Sequence, residues 1–169
     1  MTLISHLSKP HYNASLPPLC NFSIEKAYLW SLIRDKLNEL STTSLLPISI
    51  LDAACHSLIT RRMFPASANY YGIDVSISRL KLAFKQKQSG DVLYLGDLTL
   101  PLNLNSCFDV VVSCNTLSHL PPIYLNDALN NLIRSVKSNG YFIVNIGLSR
   151  DFQSVAHRLL DSFSSVETV

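Results

Sequence analysis

Three short apolar segments, each followed by an aspartate, constrain the fold of this chain more than any other feature. The segments are residues 48–51, 70–73 and 93–95, and the acids that follow them are Asp52, Asp74 and, after one glycine, Asp97. Apolar runs without alternation are typical of strands buried on both faces of a parallel sheet. Parallel strands end at one edge of a sheet, where open α/β folds bind ligands. The pattern therefore predicts a wound α/β sheet with three carboxylates along its ligand-binding edge.

Composition limits the classes of protein to which the chain can belong. Its 169 residues, 47% of them hydrophobic, suffice for one domain with a core. A net charge of +2 favours neither nucleic acid nor a membrane surface as a partner. There is no run of about 18 apolar residues to span a membrane, and residues 1–18 lack the pattern of a secretory signal. The four cysteines have no paired spacing, so we expect neither disulfides nor a metal site and a cytoplasmic location.

The chain divides into a leader and a domain. Residues 1–21 are rich in Pro, Ser, His and Asn without any period, and we expect a flexible leader there. Residues 22–169 are interpreted as one domain. It begins with a helix in which Leu29, Ile33 and Leu37 recur at helical spacing. Trp30 of that helix could line a ligand site, although core packing is the expected role.

Further segments complete an alternating α/β pattern. Residues 108–114 form the most apolar strand, which predicts a central position in the sheet, and two more strands are predicted at 141–146 and 165–169. The predicted helices cover 57–64, begin after Ser76 and after Pro121-Pro122, and end the chain from about 151 to 163. Arg61 and Arg62 of the first of these helices are expected on a solvated face.

Six sequence motifs occur in a consistent order between about residue 23 and the C-terminus, and together they match those of a known protein family. They are residues 52–58, 72–76, 96–101, 108–115, 117–121 and 132–140. In these segments the sequence resembles the class I S-adenosylmethionine (SAM)-dependent methyltransferases, in particular the small-molecule, type 11-like group. The resemblance implies a Rossmann-like, doubly wound, mostly parallel sheet with helices on both faces, SAM as the cofactor, and a small-molecule methyl acceptor.

The resemblance also assigns candidate cofactor-binding residues. Asp74 would accept hydrogen bonds from the ribose, Asp97 would accept one from the adenine amino group, and Leu98 would offer its backbone amide to the ring. Asp52 would orient the turn after the first strand through backbone amides. The remaining candidates come from that turn and from two other strand ends: Ala54, Cys55, His56, Val75 and Asn115.

Each of these assignments has a simpler structural alternative. Asp74 could cap the helix that follows it, and Asp97 could serve only as a turn residue. Asn115 could be no more than a polar residue that ends a strand. These alternatives stay open at the level of sequence.

The turn after the first strand departs from the family pattern. The family has Asp-x-Gly-x-Gly-x-Gly there, whereas this chain has Ala54, His56 and Leu58 at the glycine positions. Glycine permits a tight turn and close approach of a ligand to the backbone. The His56 imidazole would project near the place where the family holds the methionine end of SAM. A catalytically inactive, methyltransferase-like binding or regulatory protein that has lost SAM binding is therefore the alternative function.

Acid–base chemistry has one candidate, His119, because the unperturbed pKa of histidine lies near neutrality. A structural role is the competing interpretation. Positioning of the acceptor supplies much of the rate of methyl transfer, so the reaction does not demand a base. A nicotinamide-dependent oxidoreductase is a third possibility, although the same glycines are missing and no Tyr/Lys pair is evident.

The predicted sheet is incomplete at its C-terminal side. The resembled family places an antiparallel seventh strand between the fifth and the sixth, and the sequence stops after the predicted sixth strand at 165–169. The fifth strand would then be an open edge with unpaired backbone groups. We expect that edge to be available to a protein partner or to self-association.

Overall fold

The computed structural model describes residues 2–3, 24–145, 152–165 and 167–168. Its strands are β1 (Thr2–Leu3), β2 (Ser49–Ala53), β3 (Asn69–Asp74), β4 (Val92–Leu95), β5 (Phe108–Ser113), β6 (Val136–Val144) and β7 (Glu167–Thr168). Its α-helices are α1 (Ile24–Thr43), α2 (Ile77–Gln86), α3 (Pro122–Ser135) and α4 (Phe152–Ser162). None of these helices is long and apolar enough to cross a membrane.

The strands form one sheet in the order β4-β3-β2-β5-β6-β1-β7, and every pairing is parallel. Ile50 of β2 lies opposite Tyr70 of β3 on one side and Val110 of β5 on the other. The order of the strands reverses between β2 and β5, which is where wound sheets bind ligands. The predicted Rossmann-like fold is confirmed, and its first three apolar segments end at the same edge of the sheet.

Helices cover both faces of the sheet. Val111 of β5 packs with Leu129 of α3 and Leu159 of α4 in one core cluster. Its neighbour Val110 belongs to the opposite cluster, which includes Ile33 of α1. Successive residues of a strand point to opposite faces, so a central strand with a core on each side has to be apolar throughout. This explains why the segments of 48–51 and 108–114 show no polar alternation.

The predicted fifth strand corresponds to β6, and the expectation that its edge is open is wrong at Val144, where β1 pairs with it. Leu3 of β1 lies opposite Val144 of β6, and Thr2 and Leu3 pair in turn with β7. These two residues belong to the segment predicted as a leader; the remainder of that segment lies outside the described residues. A pairing of two residues carries no periodic signal, and its partners are far away in sequence, so local patterns did not reveal it.

The predicted helix at 57–64 is also wrong. This segment forms turns and a single 3-10 helix at Arg61–Met63. Arg62 is exposed as expected, but Arg61 is only 5% exposed. The Arg61 guanidinium donates to both carboxylate oxygens of Asp91, at 2.9 and 3.0 Å from Nε, and lies 4.6 Å from the centre of the Tyr70 ring. Its partner is distant in sequence, so the local pattern indicated a solvated arginine.

We expect Arg61→Met to lower the free energy of unfolding by about 3–5 kcal/mol, because the variant leaves the buried Asp91 carboxylate without its cation. Urea denaturation followed by circular dichroism would measure the change. The matched control is Arg62→Met, which alters an exposed neighbour in the same short helix. Equal losses in the two variants would contradict a special contribution from the buried ion pair.

Candidate functional site

A cleft of about 430 Å³ lies beyond the carboxyl ends of β2, β3, β4 and β5. All nine residues predicted as cofactor contacts line it: Asp52, Ala54, Cys55, His56, Asp74, Val75, Asp97, Leu98 and Asn115. The weak catalytic candidate His119 lines it as well. The sheet order therefore brings together residues that are up to 67 positions apart in the chain.

Several lining residues had no clear signal in the sequence. They are Ile59, Thr60, Arg79 and Thr116. Trp30 serves in both of the roles considered for it, because it is buried in the core and still borders the cleft. Arg79 lies in the first turn of α2, and no sequence motif assigned it a role. The packing of α1 and α2 against the strand ends places Trp30 and Arg79 at the cleft.

The Asp74 carboxylate is the structural centre of the cleft. It is 3% exposed. Its Oδ2 accepts a hydrogen bond of 2.9 Å from the His56 backbone N–H, and its Oδ1 accepts one of 2.8 Å from the Ser76 backbone N–H. Ser76 is the N-cap of α2. Asp74 thus fixes both the turn after β2 and the start of α2, which includes the capping role considered for it.

The turn after β2 keeps a glycine-type backbone without glycine. Ala54, His56 and Leu58, the residues at the three glycine positions, have φ angles of +63°, +54° and +63°. Left-handed backbone costs an L-residue roughly 1–2 kcal/mol. The turn is held in this conformation by the Asp74 contact and by a hydrogen bond of 3.0 Å from the Cys55 N–H to the Ile73 carbonyl.

His56 brings an imidazole into the cleft. Its Nδ1 lies 3.0 Å from Oγ of Ser57. Burial, together with the positive charge of Arg79, lowers the pKa of His56 below its ordinary value, although Asp74 opposes this shift. The ring is therefore neutral at neutral pH. The expected projection of this side chain toward the ligand site agrees with its place in the cleft wall.

Asp52 does not orient the turn as predicted; the structure gives that task to Asp74. The Asp52 side chain instead accepts a hydrogen bond of 2.7 Å on Oδ2 from the Tyr70 hydroxyl. Burial raises the pKa of Asp52 to about 7, the Tyr70 hydrogen bond and the more distant Arg61 lower it, and the Asp74 charge raises it. Sequence patterns gave no sign of Tyr70, because its hydroxyl reaches Asp52 across two neighbouring strands.

The β4 end of the cleft offers hydrogen-bonding groups that are not used within the protein. Oδ1 of Asp97 accepts from the backbone N–H and the hydroxyl of Thr99, as a turn aspartate does. No described residue donates to Oδ2 of Asp97, and no described residue accepts from the Leu98 backbone N–H. The Leu98 carbonyl is held by the Asn131 side chain at 2.9 Å, which fixes the orientation of this segment.

The β5 end of the cleft is held rigid by side chains. Asn115 has a φ of +53°. Its backbone N–H donates to Oδ1 of Asn145, and the Asn145 amide donates back to Oδ1 of Asn115 at 3.1 Å. The Thr116 hydroxyl donates to the Ala53 carbonyl at 3.3 Å. Asn115 is thus a strand-ending residue that also borders the cleft, and its amide oxygen is already engaged.

The cleft contains two thiols and one exposed imidazole. Burial, reinforced by nearby Asp52, raises the pKa of both the Cys55 and Cys114 thiols well above the ordinary value. Cys55 packs so closely that a Cβ added at Gly72 would lie 2.8 Å from its Sγ. His119 is exposed at the end of a 3-10 helix. Within the described part of the chain, no group of three or more potential ligands is arranged to hold a metal ion.

A wound parallel sheet with a ligand cleft at its switch point defines a class of nucleoside-binding α/β domains. Within that class, the sequence matches the methyltransferase domain family over residues 51–144. This match covers more than half of the chain, and the chain belongs to that family. The family implies SAM as the cofactor. No curated protein sequence matches the chain.

Solved structures share the fold. A TehB-like SAM-dependent methyltransferase from Corynebacterium glutamicum has a TM-score of 0.57 at 21% identity, covering 80% of each chain. The YcgJ protein from Bacillus subtilis has a TM-score of 0.60 at 16% identity, covering 83% of this chain and 62% of the other. The PH0226 protein from Pyrococcus horikoshii has a TM-score of 0.54 at 21% identity, covering 83% of this chain and 65% of the other. The chain therefore spans less than two thirds of the latter two proteins.

The residues of the cleft fit the adenosine part of SAM. The Leu98 N–H and Oδ2 of Asp97 supply a donor and an acceptor without protein partners. The turn at Ala54, His56 and Leu58 has the left-handed backbone that glycines would otherwise provide. The His56 imidazole is the largest side chain that this turn places in the cleft wall at a position where the family pattern has glycine.

We expect Ala54→Gly to raise the free energy of unfolding by about 1 kcal/mol, because glycine relieves the left-handed strain at φ +63°. The matched control is Ala53→Gly in the adjoining strand, where added chain entropy and lost packing should destabilise the protein. Urea midpoints of the two variants would test this. A loss in Ala54→Gly as large as in the control would contradict strain at this turn.

The stability of the protein should depend on pH through the buried Asp52 carboxyl group. The folded-state pKa of Asp52, about 7, is above its ordinary value of 3.8. Its contribution to stability is therefore fully present below about pH 4 and is lost as the pH rises to about 7. Asp52→Asn keeps an acceptor for the Tyr70 hydroxyl and cannot ionise. We expect this variant to match the wild type near pH 4 and to exceed it by a few kcal/mol at pH 8, measured by urea denaturation across pH. A constant difference would contradict the assignment.

Proposed function

We propose that the chain is a SAM-dependent methyltransferase that acts on a small-molecule acceptor. One observation carries the proposal: a single cleft gathers nine residues from four strand ends, which the family motifs had selected independently. Its volume of about 430 Å³ is in the range of small-molecule sites. Bound SAM supplies an electrophilic methyl group on a sulfonium, and the chain supplies binding and orientation.

The β3 and β4 ends are proposed to hold the nucleoside. Oδ2 of Asp97 would accept from the adenine amino group, and the Leu98 N–H would donate to the ring, since neither has a partner among the described residues. Val75 is 65% exposed and offers the ring an apolar surface. Both oxygens of Asp74 already accept a backbone amide, but each carboxylate oxygen has a further lone pair. A ribose hydroxyl could therefore donate to Asp74 without displacing the turn.

The β5 end and α1 are proposed to hold the acceptor. This side of the cleft is lined by Trp30, Cys114, Thr116, His119 and Leu120. Trp30 and Leu120 are apolar, and Cys114 and Thr116 carry no charge, so this side of the cleft favours a small molecule with an apolar body. Oriented contact with such walls fixes the acceptor in line for transfer. The exposed His119 imidazole is available to take up a proton that the acceptor loses.

We expect saturating SAM or S-adenosylhomocysteine to raise the melting temperature, because a ligand that binds only the folded state must stabilise it. Asp97→Ala should weaken binding roughly tenfold, the amount expected when one hydrogen bond to the ligand is lost. The matched control is Asp127→Ala on the exposed face of α3. Calorimetric titration would give the affinities, and retention of labelled SAM by the purified chain would give an independent reading. The absence of any shift with either ligand would contradict the proposal.

The second candidate is a methyltransferase-like binding or regulatory protein that no longer binds SAM. The observation that favours it is the His56 imidazole in the cleft wall at a glycine position. His56→Gly discriminates between the two candidates, because it clears the ring and relieves a strained φ together. Binding gained only in this variant would support the second candidate, whereas tight binding by the wild type would support the first. Leu58→Gly is unsuitable, since Leu58 is part of the core and its removal would leave a cavity.

A further inference from the structure

Asp52 is a buried carboxyl group on the wall of the cleft, and only one of its two oxygens has a hydrogen-bond partner among the described residues. The residue is 3% exposed and lines the cleft. Its Oδ2 accepts from the Tyr70 hydroxyl at 2.7 Å, whereas no described residue donates to Oδ1. Buried carboxylates are normally paired with a cation or with several donors. The unpaired oxygen therefore marks a place where a ligand with positive charge would be stabilised.

The groups around Asp52 do not supply that charge. Tyr70 and Asp74 face it from β3, Cys55 from the turn after β2, and Cys114 from the end of β5. These neighbours are neutral or negative. The cation that acts on Asp52 is Arg61, whose guanidinium lies 4.6 Å from the centre of the Tyr70 ring and is already paired with Asp91.

The effects of two other charged or ionisable cleft residues, Arg79 and His56, must be distinguished from the effect of Asp52. Arg79 lines the cleft from α2 and carries a positive charge. The His56 imidazole is neutral near pH 7 because burial and Arg79 lower its pKa. If it became protonated at lower pH, it would also repel a cation. A pH effect at this site has to be assigned by variants of both His56 and Asp52.

We propose that Asp52 holds a proton in the ligand-free cleft and releases it to solvent when a cationic ligand binds, so that the cleft distinguishes a sulfonium cofactor from its neutral thioether product. The inference rests on the proposed function, since it concerns the same cofactor. In a molecule whose Asp52 is protonated, binding of the cation converts the carboxylic acid to a carboxylate, and one proton goes to the buffer. The Tyr70 hydroxyl remains the donor to Oδ2. Tyr70 positions the Asp52 carboxyl group, and Asp52 is the residue whose charge changes when the ligand binds.

The electrostatics favour this coupling. SAM and S-adenosylhomocysteine carry the same ammonium and carboxylate groups and differ by the sulfonium charge, so their comparison isolates one unit of charge. The pKa of Asp52 lies at about 7, where a nearby cation changes the protonated fraction most. Loss of the sulfonium on methyl transfer would let the carboxyl group regain its proton. The thioether would then be held less tightly than the cofactor.

The decisive experiment is calorimetric titration of the full chain with SAM and with S-adenosylhomocysteine at pH 7, in buffers with different ionisation enthalpies. The dependence of the observed enthalpy on the buffer gives the number of protons released. We expect SAM to release a clearly larger fraction of a proton than S-adenosylhomocysteine. We also expect the ratio of the two affinities to shift toward SAM by up to about tenfold between pH 6 and pH 8, the factor that corresponds to one unit of pKa change.

Four variants assign the effect to Asp52. Asp52→Asn keeps an acceptor for Tyr70 and should abolish both the extra proton release and the pH dependence of the affinity ratio. Tyr70→Phe removes the donor that lowers the pKa of Asp52, so the pH window should move upward. The control Asp127→Asn makes the same charge change at an exposed site of α3 and should behave as the wild type. His56→Gln should retain the effect.

The possible outcomes distinguish the inference about Asp52 from the proposed function. If both ligands bind and release equal numbers of protons, or if Asp52→Asn retains the difference, the inference about Asp52 is overturned while the proposed function stands. If His56→Gln abolishes the difference, the responsive group is the imidazole, and the inference is again overturned. If neither ligand binds at any pH, the proposed function itself fails.

Discussion

The Asp74 carboxylate is the interaction on which the architecture of the cleft depends. Its two oxygens accept the backbone amides of His56 and Ser76, so a single buried group ties the turn after β2 to the first turn of α2. The Asp74 carbonyl accepts from the Gly96 N–H at 3.1 Å and extends the connection to the end of β4. Three strand ends are thereby held in one arrangement. A carboxylate is suited to this task because charge-assisted hydrogen bonds to backbone N–H groups are strong.

This interaction also explains how a turn without glycine can keep the path of a glycine-rich one. The side chains of Ala54, His56 and Leu58 disfavour a left-handed backbone, and this steric cost arises within each residue. Tertiary contacts maintain the left-handed conformation: the hydrogen bond of Asp74 to His56, and the burial of Leu58 in the core cluster on the α1 side. The conformation therefore belongs to the fold as a whole, and the loss of glycines changes the cleft wall more than its backbone.

Much of the fold was predictable because its signals are local. Apolar runs that stop at Asp52 and Asp74 reflect burial on both faces and a shared edge, and the structure has both. The segment at 57–64 and the pairing of Thr2 and Leu3 were not predictable, since each depends on partners far away in sequence. The same division holds in the cleft. Residues at strand ends could be selected from motifs, whereas Tyr70 and Arg79 enter through packing between elements.

The close fit between Cys55 and Gly72 has a chemical consequence. A protein that holds an alkylating cofactor exposes its own nucleophiles to that reagent, and thiolates react most readily. Here the side chains of Cys55 and Cys114 border the cleft, yet burial raises the pKa of both thiols, and the Cys55 thiol packs closely against Gly72. Both therefore stay protonated and poorly reactive. A cleft that takes an alkylating cofactor is thereby lined by sulfur atoms in their less nucleophilic form.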